Sequence, residues 1–215
     1  VRTGVITLIL VAVGCFGSAA EADWETVEEV LAVVGSTPIL LSDVDLAALV
    51  RLVDAEPDES VDAYRSRLLD ARIRLEVEFR DIEDGGLLFR LELDPQRARQ
   101  LLIGRGGGAD RLDREFEERG LVEADLDELV LRVAAVDAFV QQRLRPRISV
   151  NMDEIEAAYE QLLVDEIAAS GEPLPPLAAV RDQVHQLLVE RKLNDEIERW
   201  LARAMERQEV LRFSR

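Results

Sequence analysis

Apolar and polar residues follow two rhythms along this chain: strand-like near the start, and helical spacing almost everywhere after it. The strand-like stretch is Val30-Leu-Ala-Val-Val-Gly-Ser-Thr-Pro-Ile-Leu-Leu-Ser-Asp-Val-Asp45. It predicts a strand, a turn at Gly35-Ser36, a second short strand at Ile39–Leu41 and a helix from Ser42 to Val53. Ser42 is placed to cap that helix with its hydroxyl, and Asp43 and Asp45 favour the positive end of its dipole. After a polar break at Ala55-Glu-Pro-Asp58, apolar positions at Val61, Tyr64, Leu68, Ile73, Leu75 and Phe79 predict a helix from Ser60 to about Ile82. Gly85-Gly86 is its stop.

The next stretch is less legible. Arg74, Glu76 and Glu78 interrupt the apolar face, and Leu87–Leu93 reads either as a buried helix or, from Leu87, Phe89, Leu91 and Leu93, as a short strand. The structure of 76–93 is therefore left open. Asp94-Pro95 restarts a helix that runs to about Ile103, with Pro at its first position, and Gly104-Arg-Gly-Gly-Gly108 ends it. Asp110–Arg119 is a helix closed by Gly120. Glu123–Arg145 is the cleanest amphipathic element, with Leu126, Leu129, Val130, Val133, Val136, Val140 and Leu144 on one face and Pro146 as its terminator. Asn151 and Glu154 stand at capping-box spacing ahead of another helix. The last helix follows Pro175-Pro176 and presents Leu177, Val180, Val184, Leu187, Leu188, Ile197, Leu201 and Met205. No internal repeat appears.

Charge narrows the partners. The chain of 215 residues carries a formal net charge of −18, and no basic stripe with interleaved aromatics offsets it. Such a field repels phosphate backbones, so nucleic acid is not an expected partner. A hydrophobic content of 48% suffices for a packed core, and one domain is expected from 23 to 215. Arg2, the apolar run Gly4–Phe16 and the small residues Ser18-Ala-Ala-Glu-Ala22 read as a signal peptide over 1–22, with the mature chain from about Asp23. That run is too short to span a bilayer, and no later stretch approaches the length required, so no transmembrane span is expected in the mature chain. Cys15 is the single cysteine. It reads as a small apolar residue of the leader, with lipid attachment in the manner of a bacterial lipoprotein as the competing reading.

No residue pattern points to catalysis, a cofactor or a metal. Gly104–Gly108 follows a helix rather than a strand and lacks the Lys-Ser/Thr of a phosphate-binding loop, so it reads as a helix connection. The carboxylates Asp125, Asp127 and Glu128, and Asp153, Glu154 and Glu156, occupy first turns of helices, where acidic residues suit the dipole. His185 has no Cys or second His in reach and reads as a surface or half-buried residue. Trp24 and Trp200 are candidate partner-contacting aromatics, but the helical spacing of Trp200 from Ile197 and Leu201 places it in a core.

Three segments carry a resemblance. Val30–Asp45, Ile148-Ser-Val-Asn-Met-Asp-Glu-Ile-Glu-Ala-Ala-Tyr159, and the closing run with Glu196, Trp200, Leu201, Val210 and Phe213 resemble the SurA-like family of secreted chaperones. The resemblance implies a mainly α, helical chaperone domain with a small β element, in which the last strand joins the opening hairpin. Typical members carry parvulin-type prolyl isomerase domains between the second and third segments. Here only Glu160–Pro176 separates them, which leaves no room for a folded domain, and the parvulin Gly-Gly-Asp-x-Gly-Trp motif is absent.

The resemblance thus implies a non-enzymatic, ATP-independent periplasmic holdase that binds unfolded polypeptides, with outer-membrane proteins as clients by family analogy. The alternatives are an envelope scaffold subunit docking one folded partner and, less favoured, a prolyl isomerase. Self-association through exchanged helices is compatible with this architecture. Stripes that build a core and stripes that line a cradle read alike, so the sequence names no client-binding residue.

Overall fold

The computed structural model describes residues 28–170 and 175–213, and the side chains of all of these except 162–170. The leader expected at 1–22, Cys15 and Trp24 lie outside the described residues. The hairpin forms as the pattern predicts. β1 (Val30–Val34) pairs antiparallel with β2 (Thr37–Leu40), Val34 opposite Thr37 and Val33 opposite Pro38. Gly35 takes φ +57° at the first central position of the two-residue turn, where a primed turn needs a positive φ. The second strand begins at Thr37 rather than Ile39, because the turn is short enough for Thr37 to pair at once.

Chain continuity corrects the expected cap of α1 (Leu41–Leu49). The Leu41 N–H is still bonded to the Glu29 carbonyl at 2.8 Å, so strand passes into helix without a spare residue and Ser42 already lies inside the first turn. Leu40 holds the cap position instead, and the Asp43 carboxylate accepts from its N–H at 2.8 Å. The helix also stops at Leu49, short of Val53. Arg51 turns to φ +49°, its N–H bonds the Ala48 carbonyl at 3.1 Å, and the Leu52 N–H bonds the Ala47 carbonyl at 2.8 Å. This is a Schellman termination without glycine.

α2 (Val61–Asp84) runs unbroken through Arg74, Glu76 and Glu78. The Ser60 hydroxyl accepts from the Ala63 N–H at 3.2 Å at one end, and Gly85-Gly86 closes the other, with the Leu87 N–H on the Ile82 carbonyl at 3.0 Å. Leu87–Leu93 is neither strand nor α-helix. It holds a single 3₁₀ turn at Leu88–Arg90, which buries Leu91 and leaves Phe89 95% exposed. Asp94 caps α3 (Pro95–Arg105) by accepting from the Arg97 N–H at 3.0 Å, and α4 (Ala109–Arg119) ends at Gly120 with φ +68°.

α5 (Glu123–Phe139) ends before the expected Arg145. A π-helical turn at Val140–Leu144 and a 3₁₀ turn at Arg145–Arg147 around Pro146 follow it, and Leu144 still reaches the core at 2% exposure. α6 (Met152–Ser170) opens with the predicted capping box: the Asn151 N–H donates to Glu154, and the Glu154 N–H donates to the Asn151 side chain, both at 2.9 Å. α7 (Leu177–Arg207) leads into β3 (Val210–Arg212), which pairs antiparallel with β1 and gives the sheet order β2-β1-β3. The described chain is thus mainly helical with one small antiparallel sheet, and its last strand does join the opening hairpin.

α2 is the spine of this arrangement. Leu75 packs with α1, α3, α4 and α5; Leu68, Ile73 and Val77 pack beneath the sheet with Ala32, Val34 and Ile39; Ile82 packs with Leu144, Leu193 and Trp200. A helix covered on several sides buries polar positions along with apolar ones. Arg72, Glu76 and Glu78 are each no more than 5% exposed, and they must therefore find partners inside.

Candidate functional site

Two regions have chemistry to offer: a polar seam along α2 and the outer face of the sheet. Arg72, Glu76 and Arg80 are one helical turn apart and share a face of α2. Arg72 donates to Asp43 at 3.0 Å, so the same carboxylate that caps α1 also anchors α2. Glu76 accepts from Arg132 of α5 at 2.6 Å, and the Arg132 guanidinium lies 5.3 Å from the Phe79 ring centroid. Arg80 donates to the Thr37 hydroxyl at 2.7 Å beneath the hairpin turn. On another side of the helix, Arg74 bridges Glu78 at 3.0 Å and Glu198 of α7 at 2.8 Å. Burial raises the Glu78 carboxyl above its ordinary value, against the lowering effect of Arg74.

A cavity of about 260 Å³ opens beside this seam, lined by Thr37, Ser42, Asp43, Arg72, Asp125, Glu128 and Arg132 among others. Nε and Nη1 of Arg72 are buried there without a hydrogen bond among the described residues. The lining holds three carboxylates and two guanidiniums, a balance that does not favour an anionic ligand. The seam joins helices and does not gather reactive groups. Among the described residues no cluster of three or more His, Cys, Asp and Glu side chains is set to hold a metal.

The sheet's outer face is different in kind. Ala32, Val34 and Ile39 point inward and are at most 1% exposed. Val33 lies directly opposite both Pro38 and Leu211, so these three share the other face, joined by Phe213 two residues beyond Leu211. Leu211 is 49% and Phe213 54% exposed, Pro38 is exposed, and Val33 is half-buried. The patch is held firmly from behind. Asp81 of α2 accepts from Trp200 Nε1 at 2.8 Å and from Arg207 Nε at 2.9 Å, and Gln208 donates to Asp84 at 2.9 Å, so the end of α7 is clamped just before β3 begins. Trp200 also stacks at 4.5 Å on Phe139.

The structure sorts the sequence candidates accordingly. Trp200 is core, at 4% exposure, as its spacing predicts. His185 is exposed. Asp125 caps α5 by accepting from the Val122 N–H, Asp127 pairs with Arg99, and Glu154 pairs with Lys192, so these first-turn carboxylates serve helix ends and surface bridges. The Lys192 ammonium and then the Asn151 amide hold the Glu154 carboxyl below its ordinary value. Gly106-Gly-Gly108 connects α3 to α4, with φ +91° and +101° at Gly107 and Gly108.

Sequence reasoning missed the buried charges and the apolar sheet face. The signal for the first was the i, i+4, i+8 stripe of Arg72, Glu76 and Arg80; for the second, it was Leu211 and Phe213 alternating beyond Val210. Among the described residues no helix is long and apolar enough to cross a membrane. No protein-family model matches the chain, and no curated protein matches it in sequence.

Proposed function

We propose that this chain is an ATP-independent holdase of the bacterial cell envelope, of the SurA-like type and without a prolyl isomerase domain. The observation that supports this most is the β2-β1-β3 sheet, in which the strand after the Trp200 helix returns to the opening hairpin as the resemblance implies. In this reading, export delivers the chain to the periplasm and unfolded polypeptide is its ligand. Holding requires no chemical step. Apolar client surface buried against the chain gains about 25 cal/mol per Å², without regard to sequence, and the net charge of −18 keeps an apolar patch from driving precipitation.

The test is suppression of aggregation when a urea-unfolded outer-membrane barrel protein is diluted in the presence of the chain and without ATP. Dose-dependent suppression is expected; none at molar excess would overturn the reading. A proline-limited refolding assay is expected to run at its uncatalysed rate.

One observation favours a second reading, a scaffold docking a single folded partner. Phe89 stands 95% exposed on a 3₁₀ turn whose neighbour Leu91 is buried, the form of a solitary aromatic anchor. Phe89→Ser would abolish saturable binding to such a partner and leave suppression of client aggregation unchanged.

A further inference from the structure

The two edges of the sheet are finished differently. On β2 the backbone groups that point out of the sheet belong to Pro38 and Leu40; Pro38 has no N–H, and the Leu40 N–H is held by Asp43 at 2.8 Å. On β3 the pairing turns Glu209, Leu211 and Phe213 toward β1: the Gly35 N–H donates to the Glu209 carbonyl at 2.8 Å, and the Phe213 N–H donates to the Leu31 carbonyl at 3.0 Å. Val210 and Arg212 therefore direct their N–H and C=O groups outward, where they meet no hydrogen-bond partner among the described residues. Sheets ordinarily close a free edge with proline, a cap or a covering element. Among the described residues β2 is closed in this way and β3 is not.

The alternation of donors and acceptors along such an edge fits one class of ligand, an extended polypeptide strand. The side chains beside it narrow the class. Leu211 and Phe213 offer apolar contact on the outer face, and Glu209, on the same face, is exposed, as is Glu206 just before it. A second copy of this chain, itself of formal net charge −18, would be opposed by long-range repulsion. A segment that alternates apolar and basic residues is complementary instead.

We propose that the outer edge of β3 takes up an extended segment of unfolded polypeptide as a fourth strand, its apolar side chains lying beside Leu211 and Phe213 and a basic residue near Glu209. The proposal rests on the holdase reading and names where the client sits. Two outward residues supply only a few hydrogen bonds, so one segment is held weakly and released without an energy source, while many sequences qualify.

The probe is a fluorescein-labelled peptide of alternating Val and Lys, titrated by anisotropy into the full chain. Arg212→Pro removes one outward N–H without touching a bond between β1 and β3, and Arg212→Ala is its control, since both lose the Arg212–Asp70 ion pair. Arg212→Pro is expected to weaken binding about tenfold relative to Arg212→Ala, the loss of one hydrogen bond together with the peptide carbonyl left unpaired. The same peptide N-methylated at alternate residues is expected to lose wild-type binding, an arm that does not depend on any variant folding.

Equal binding by Arg212→Pro and Arg212→Ala, or by the plain and methylated peptides, would overturn strand addition. So would a change of oligomeric state in Arg212→Pro by ultracentrifugation, since the edge would then belong to a second copy. Aggregation suppression, measured on the same samples, reports on the holdase reading separately.

Discussion

Removing one member of the Glu76–Arg132 pair should cost far more than removing both. Glu76 is 2% exposed and its partner guanidinium 13%, with 2.6 Å between them. At an effective dielectric near 20 their attraction is about 6 kcal/mol, which is offset by a desolvation penalty of several kcal/mol for each ion. The pair is therefore close to neutral against an apolar pair of similar volume, whereas either ion left alone is not. Arg132→Met strands a buried carboxylate and is expected to cost about 5 kcal/mol; Glu76→Leu leaves Arg132 with Glu128 and the Phe79 ring and should cost about 3 kcal/mol. The double variant is expected within about 1 kcal/mol of wild type. Urea unfolding read by circular dichroism gives all three values, provided the slope m is unchanged. Single variants below about 1 kcal/mol, or a double variant that costs the sum of the singles, would refute the view that α2 and α5 are joined by a desolvated ion pair.

Three further outcomes follow from the same contacts. Gly35→Ala places an L side chain at φ +57° and its Cβ 3.1 Å from the Arg80 guanidinium, so a loss of about 1–2 kcal/mol is expected in urea unfolding. Glu78, whose folded carboxyl is raised by burial, binds its proton more readily folded than unfolded. Its contribution to stability is therefore fully present below the unfolded value of 4.5 and lost as pH rises through the folded value. The stability of wild type relative to Glu78→Gln should rise as pH falls through that window, and a difference independent of pH would reject the assignment. Asp81→Ala leaves the Trp200 N–H unpaired in the core and releases Arg207, with an expected cost of about 1–3 kcal/mol. Hydrogen exchange at the Leu211 and Phe213 amides should speed up in that variant, and unchanged exchange would show that α7 does not position β3.

What the sequence disclosed and what it hid divide along the range of the interactions. The hairpin, the capping box of Asn151 and Glu154 and the stops at Gly85 and Gly120 rest on residues a few positions apart, and each formed where the local chemistry asks for it. The end of α1 was hidden because its left-handed residue is Arg51, which carries no glycine signal. Ser42 misled because its capping chemistry was right and its position was not: the strand's last hydrogen bond consumed the residue that a cap would have needed. The pairing of β3 with β1 crosses nearly the whole chain and was available only through the resemblance. Of the charges at 74, 76 and 78 that read as interruptions, Glu76 and Glu78 are buried, because a helix's burial depends on how many neighbours surround it, and those neighbours lie many residues away.

The same burial bears on how β3 is presented. A strand of three residues at the end of a long helix has little pairing of its own with which to hold a position. Here its position is inherited. Asp81 clamps the end of α7, Arg72 and Asp43 lock α1 to α2, and Arg80 fixes the hairpin turn from below, so both strands flanking the patch are referenced to one helix. Under the holdase reading proposed above, a surface that meets many different polypeptides gains nothing from tailored contacts, but it loses affinity whenever it has to be ordered first. Polar bonds directed at α2 supply that ordering in advance, and the outer face can then remain apolar and open without the sheet loosening beneath it.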